Sequence, residues 1–501
     1  MKNKQIEALR ERLGEISDVR STISLLHWDQ QTYMPPKGGA SRARQQATLS
    51  TIAHQMFTSP ELGTLLHRLS DSLEKLDPDD AVLVSETLYD HDRARKLPDG
   101  FVRDLAEEEG KAFEAWKEAR AKSEFGLFRP HLERLVEFQK RKAELLGFEG
   151  SPYNALIEDY ERGMTAERLK GIFGDLSRRQ SELVNRVVDS PRQPDLTWFD
   201  QEWDEGAQWR FGMRVLKDMG YDLEAGRQDK ALHPFTASMA DVEDVRITTR
   251  LDRRDPFSAL SSTVHEGGHA LYDQGYQPKD WRTPLARGTS MGMHESQSRL
   301  WENTIARSLP FWKHYLPVLR DCFPAQLERV TPEQIYRAQN RVKRSLIRVE
   351  ADECTYNLHI ILRFEIEIAL LEGDLKVADI PEIWNVKMKK YLGIEVPDDA
   401  HGCLQDVHWS SACFGYFPTY ALGNLYAAQM FEKILVDIPD LWDHVEQGNF
   451  RPLLSWLRDK VHRHGRRRRA PEIIREITGK EPGSEAYFWY LEGKYGSLYG
   501  L

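Results

Sequence analysis

Cysteine is scarce in this chain: Cys322, Cys354, Cys403 and Cys413 are the only four in 501 residues, and none forms a C-x-x-C pair. That spacing excludes a disulfide framework and a cysteine-built zinc cluster, and fits reduced thiols. Long apolar runs are also missing. No stretch approaches the ~18 uncharged residues of a membrane span, and the start of the chain, with Lys2, Lys4, Glu7, Arg10, Glu11 and Arg12, carries no apolar signal core. Positive charge is not in excess either, since the net charge is −10. That balance argues against a nucleic-acid binder. Gly/Ser linkers, internal repeats and low-complexity tracts are absent. A soluble cytoplasmic protein without membrane or nucleic-acid partners is the expectation.

What the chain has in abundance is helix-patterned sequence with 30% charged residues. Thr331-Pro332-Glu333-Gln334 reads as a capped helix start, and the helical pattern runs on toward Gly373, with room for one break. The best strand signal lies in Val242–Leu251, where β-branched and polar residues alternate around Val245-Arg246-Ile247-Thr248-Thr249. A mainly α body follows, with a small flanking sheet. Residues 1–501 are expected to form one catalytic unit, with two lobes about a groove as an allowed arrangement. The cationic run His462 to Arg469 is expected to pair with surface carboxylates rather than bind a polyanion.

The chemistry concentrates at His265-Glu266-Gly267-Gly268-His269. Asp255 before Pro256 is a helix N-cap followed by a favoured first residue. Phe257, Leu260, Val264 and Leu271 recur at helical spacing, and Gly275 offers a stop. On such a helix, His265 and His269 project from one face, one turn apart, and can bind one metal ion. Glu266 points about a quarter-turn away, where it can serve water on the metal as general base. Gly267 and Gly268 each cost about 1 kcal/mol in a helix interior, so close approach of another backbone or of substrate is expected. A third ligand is required. The helix expected from Ser290 offers His294 or Glu295, and an Arg299 ion pair at i+4 is an equal reading of Glu295.

Further motifs give the chain a family likeness. Leu26-His27-Trp28-Asp29, Asp244-Val245-Arg246-Ile247-Thr248, the HExxH, His294-Glu295-Ser296-Gln297, Ile347-Arg348-Val349-Glu350-Ala351-Asp352 and Gly402-Cys403-Leu404-Gln405-Asp406-Val407-His408-Trp409 stand in order along the sequence. Together they resemble the carboxypeptidase Taq family of zinc metallocarboxypeptidases over nearly the whole length. Asp273 departs from the pattern, since the family often has Glu there.

The resemblance implies a large helical body of the gluzincin type with a deep central groove. It implies zinc, or cobalt in its place, on His265, His269 and Glu295. It makes Glu266 the catalytic base and Arg348 the clamp for the substrate's C-terminal carboxylate, with Asp352 one turn on to hold Arg348. A guanidinium suits that task because it grips a carboxylate through two parallel hydrogen bonds. Tyr420 and His408 are placed near the developing oxyanion, with Tyr416 and Arg246 on the wall of the substrate site. The expected activity is release of single C-terminal amino acids from peptides of broad sequence, by a homodimer. A helical zinc oligopeptidase cutting internal bonds or releasing dipeptides, or a non-catalytic helical scaffold, would share the same helices but not need the clamp.

Overall fold

A computed structural model describes residues 4–501. Four helices open the chain: α1 (Lys4–Thr32), α2 (Gly39–Phe57), α3 (Pro60–Ser70) and α4 (Pro78–Arg95). Leu9, Leu13, Phe57, Leu66, Leu69 and Leu83 bury their side chains in a small core of this layer. Next come α5 (Asp99–Lys122), α6 (Phe125–Leu146), α7 (Tyr153–Ile157), α8 (Ala166–Val188) and α9 (Glu205–Met219). The strands β1 (Gln228–Lys230), β2 (Thr236–Ala240) and β3 (Asp244–Thr249) follow, and then α10 (Pro256–Asp273) and α11 (Met291–Arg299). The rest is α12 (Leu309–Cys322), α13 (Pro324–Leu327), α14 (Pro332–Gln339), α15 (Tyr356–Glu372), α16 (Ile380–Leu392), α17 (Pro418–Asp437) and four shorter helices to Tyr499. One large apolar core runs through these elements, with Trp203, Trp301, Trp312 and Trp384 fully buried in it. Among the described residues the body is mainly helical with one three-stranded sheet.

The sheet has the order β1-β3-β2. β3 pairs parallel to β1, with Gln228 opposite Ile247, and antiparallel to β2, with Thr236 opposite Ile247. β3 lies inside the segment expected from sequence; β1 is too short and too polar to announce itself, and β2 is made mostly of small residues with weak strand preference. The sheet lies against α10, where Thr249 donates to the Ala259 carbonyl at 3.2 Å. Its other neighbour is α1: the Arg246 guanidinium stands 4.4 Å over the Trp28 ring while both its edge nitrogens bind Asp244 at 2.7 Å.

Local signals hold at the helix starts. Asp255 accepts from the Phe257 and Ser258 amides, Ser290 from Met293, and Thr331 and Gln334 form a reciprocal capping box. α10 stops at the expected place, with Gln274 as C-cap and Gly275 just beyond it; Gly275 is not left-handed, and a side chain there would collide with His462. The helix expected onward from Thr331 ends at Gln339, and 340–355 is loop with one short 3-10 turn at Arg348–Glu350. Asp352 explains the break. Its carboxylate takes the amides of Lys343, Cys354 and Thr355, so these donors leave the helical ladder.

The cationic run is not a solvated end. Arg466 binds Asp90, Arg467 binds Asp79 and Asp280, and Arg469 binds Glu86. It pins the C-terminal region to α4, and its charges are matched by carboxylates, as the sequence suggested.

Candidate metal centre and carboxylate clamp

α10 and α11 cross at Gly268. A Cβ on Gly268 would lie 2.7 Å from Ser298 Cα and 2.9 Å from the Gln297 carbonyl oxygen. The glycine thus lets the two backbones touch, which is what its helical cost suggested. α17 crosses α11 as tightly, since a Cβ on Gly423 would meet Glu295 Cγ at 2.5 Å.

These crossings bring His265, His269 and Glu295 together. Their potential ligand atoms lie within 4.8 Å of one another. Glu295 Oε2 is 3.8 Å from His265 Nε2 and 3.5 Å from His269 Nε2. The other nitrogen of each ring is engaged: His265 Nδ1 meets Glu302 Oε2 at 2.9 Å, and His269 Nδ1 meets His294 Nδ1 at 2.6 Å. Outer partners of this kind fix the tautomer and aim Nε2 inward. The donor set of two imidazole nitrogens and one carboxylate oxygen suits a divalent transition ion with an open corner. His294, the alternative third ligand, is instead the partner behind His269. Its Nε2 reaches Asp273 Oδ1 at 3.0 Å, and Ser238 and Tyr276 donate to the same carboxylate. Asp273 is therefore long enough for its task.

Glu302 was not singled out from sequence. It reaches His265 because α11 continues as a π-helical segment over Leu300–Ala306, a wider winding that recurs at functional sites. Arg307 and Arg299 flank Glu302 at 2.6 and 3.4 Å. Burial opposes charge on these acids, yet Arg299 and the two imidazoles hold the Glu295 carboxyl far below its usual range. Arg307 and His265 do the same for Glu302, held at about 2. Burial pulls the His269 imidazole down. In His265 the attraction of Glu295 and Glu302 outweighs burial, and the pKa is raised.

Glu266 is 6% exposed and leans toward β2, where the Thr236 hydroxyl donates to its Oε2 at 2.7 Å. Thr236 is a partner that no sequence pattern flagged.

A second cluster surrounds Arg348, which is buried. Its Nε donates to Asp406 Oδ1 at 2.9 Å, with Nη2 equally close, and Nη1 donates to the Tyr356 hydroxyl at 3.0 Å. Asp406, not Asp352, thus holds Arg348; the loop at 340–355 removes the helical spacing on which the Asp352 expectation rested. Arg363 binds the other Asp406 oxygen, its Nε at 2.7 Å. The Tyr420 ring lies 5.0 Å from the Arg348 guanidinium carbon, and its hydroxyl meets His408 Nε2 at 3.3 Å. Tyr416 packs edge-on to Tyr420 at 5.2 Å. Burial depresses His408 to about 4, so its imidazole is neutral near pH 7. The Tyr356 ring lies 4.4 Å below the Arg299 guanidinium, which binds Glu295, so one tyrosine joins the two clusters. Arg246 stays with Asp244 and Trp28, on the sheet.

Comparison with known proteins agrees with this arrangement. The carboxypeptidase Taq (M32) metallopeptidase family matches residues 8–495. Thermostable carboxypeptidase 1 of Thermus thermophilus is 42% identical over 97% of both chains, and carboxypeptidase 1 of Bacillus subtilis is 39% identical over 98% of this chain and 97% of its own. The crystal structure of the M32 carboxypeptidase from Deinococcus radiodurans superposes with a TM-score of 0.97 at 40% identity, covering 100% of both chains. The fold and the ligand cluster are those of a metallocarboxypeptidase. The chain belongs to the carboxypeptidase Taq (M32) metallopeptidase family.

Proposed function

We propose that the protein is a zinc carboxypeptidase that releases single C-terminal residues with broad side-chain tolerance. His265, His269 and Glu295 hold the ion, with cobalt as a competent substitute. When bound, the ion supplies Lewis acidity toward water and the scissile carbonyl. Glu266 takes the proton of the attacking water and delivers it to the departing amine, which the Thr236 hydroxyl assists by fixing its carboxylate. The Tyr420 hydroxyl, oriented by neutral His408, donates to the developing oxyanion, an interaction worth about 2.7–4 kcal/mol in other hydrolases. Tyr416 and Arg246 shape the wall around the substrate.

The observation that carries the exopeptidase reading is the state of Arg348. Of its five N–H donors, Nε and one on Nη2 face Asp406, and one on Nη1 serves Tyr356. That leaves N–H donors on Nη1 and Nη2 beyond these contacts, and a substrate carboxylate would take them as a fork. Tyr356 places that fork one side chain from the Arg299–Glu295 pair. A C-terminus gripped there would set the register of the peptide over the ion. The homodimer implied by the family likeness would be tested by native mass spectrometry.

Mass spectrometry of a mixed peptide digest tests the reading. Ladders shortened one residue at a time from the C-terminus, abolished by chelator, are expected. Internal cleavage, or release of dipeptides, would instead identify an oligopeptidase.

A further inference from the structure

Glu295 has two oxygens, and only one faces the histidines. Oε2 lies 3.8 and 3.5 Å from the two Nε2 atoms. Oε1 is taken by Arg299 Nε at 2.6 Å. The carboxylate cannot swing to present both. Its stem is pressed by the α17 backbone at Gly423, where even a methyl group would collide with Cβ and Cγ. Arg299 is itself fixed: its Nη1 is 3.4 Å from Glu302, its plane stands over the Tyr356 ring, and its side chain is 14% exposed.

From these contacts we infer that Arg299 is a positioning residue that makes Glu295 a one-oxygen ligand. By occupying Oε1 it keeps the carboxylate from chelating through both oxygens, so the corner needed by water stays open. The same guanidinium reaches Glu302, the partner of His265, so one side chain sets the orientation of a ligand from α11 and of a ligand from α10. The inference rests on the metal-site reading above and adds a determinant of coordination number to it.

The test uses cobalt in the full-length protein. A four-coordinate Co2+ site lacks a centre of symmetry and absorbs strongly in the visible, whereas five- or six-coordinate sites absorb severalfold less per ion. Wild-type protein should show the strong bands. Arg299→Gln, which frees Oε1, should bind cobalt with bands reduced severalfold per bound ion, and its zinc affinity should change by about 10–100-fold in competition with a chelator. Arg299→Lys keeps the charge that Glu295 and Glu302 require and serves if the glutamine variant does not fold; its bands should also weaken, because an ammonium lacks the fork that bridges both acids. Band intensity per ion unchanged in the folded variants would overturn the inference, whatever their activity, because a merely structural role would alter stability and not coordination. Wild-type protein that takes up no cobalt or zinc would sink the metal-site reading instead.

Discussion

Replacing Arg348 by Met keeps the bulk of the side chain and removes the fork. Asp406 does not become an orphaned charge, because Arg363 still binds its other oxygen, so the fold should survive. The loss to substrate is two charge-assisted hydrogen bonds. At about 1.5–3 kcal/mol each, and discounted because paired bonds are not additive, they amount to about 3–4 kcal/mol. That corresponds to roughly 10²–10³-fold in kcat/KM. The loss should fall on free-acid peptides alone. An amidated peptide cannot use the fork fully, so Arg348→Met should lower its already slow cleavage by less than about 5-fold. Paired assays of one peptide as acid and amide, against both proteins, read the difference directly. Equal losses on the two substrates would refute the clamp, and equal wild-type rates on them would refute the exopeptidase.

Three further outcomes are expected. Glu266→Gln should retain its metal by elemental analysis and lose about 10²–10⁴-fold in kcat, the usual contribution of a general base; a mild loss would move the base elsewhere. Asp273→Asn should weaken zinc by about 10–100-fold in chelator competition through the His294–His269 chain, and unchanged affinity would make that chain idle. His462, buried with Nε2 on Gln297 Oε1 at 3.1 Å, is held down by burial to about 3, against about 6.5 in an unfolded chain. The unfolded form therefore binds the extra proton, and stability present above pH 6.5 is lost as pH falls toward 3. Between pH 7 and 5 that costs about 2 kcal/mol, so in urea titrations His462→Asn should lose less over this interval than wild type; parallel losses would contradict it.

Much of the site was legible because its signals are local. The caps at Asp255, Ser290 and Thr331 and the His265–His269 spacing lie within single turns, and of the two glycines expected to mark a close approach, Gly268 meets the α11 backbone while Gly267 meets the Leu216 and Met219 side chains. The geometry accommodates both readings of Glu295, because Oε1 pairs with Arg299 while Oε2 faces the two imidazoles. What sequence did not reveal are pairings between distant segments. His265 with Glu302 requires a π-helical winding, and Arg348 with Asp406 spans a loop whose amides Asp352 captures. Asp406 stood inside a motif already noted, yet a one-dimensional reading tied Arg348 to the nearer acid. β1 is only three residues long, and β2 is built mostly of small side chains with weak strand preference, so Thr236 had little signal to give.

The most direct measurement is a crystal structure of the zinc-loaded protein. An ion about 2.0–2.2 Å from His265 Nε2, His269 Nε2 and a single oxygen of Glu295, with one corner left to solvent, is the expected result. An ion bound elsewhere, or Glu295 beyond coordination distance while both histidines ligate, would contradict it.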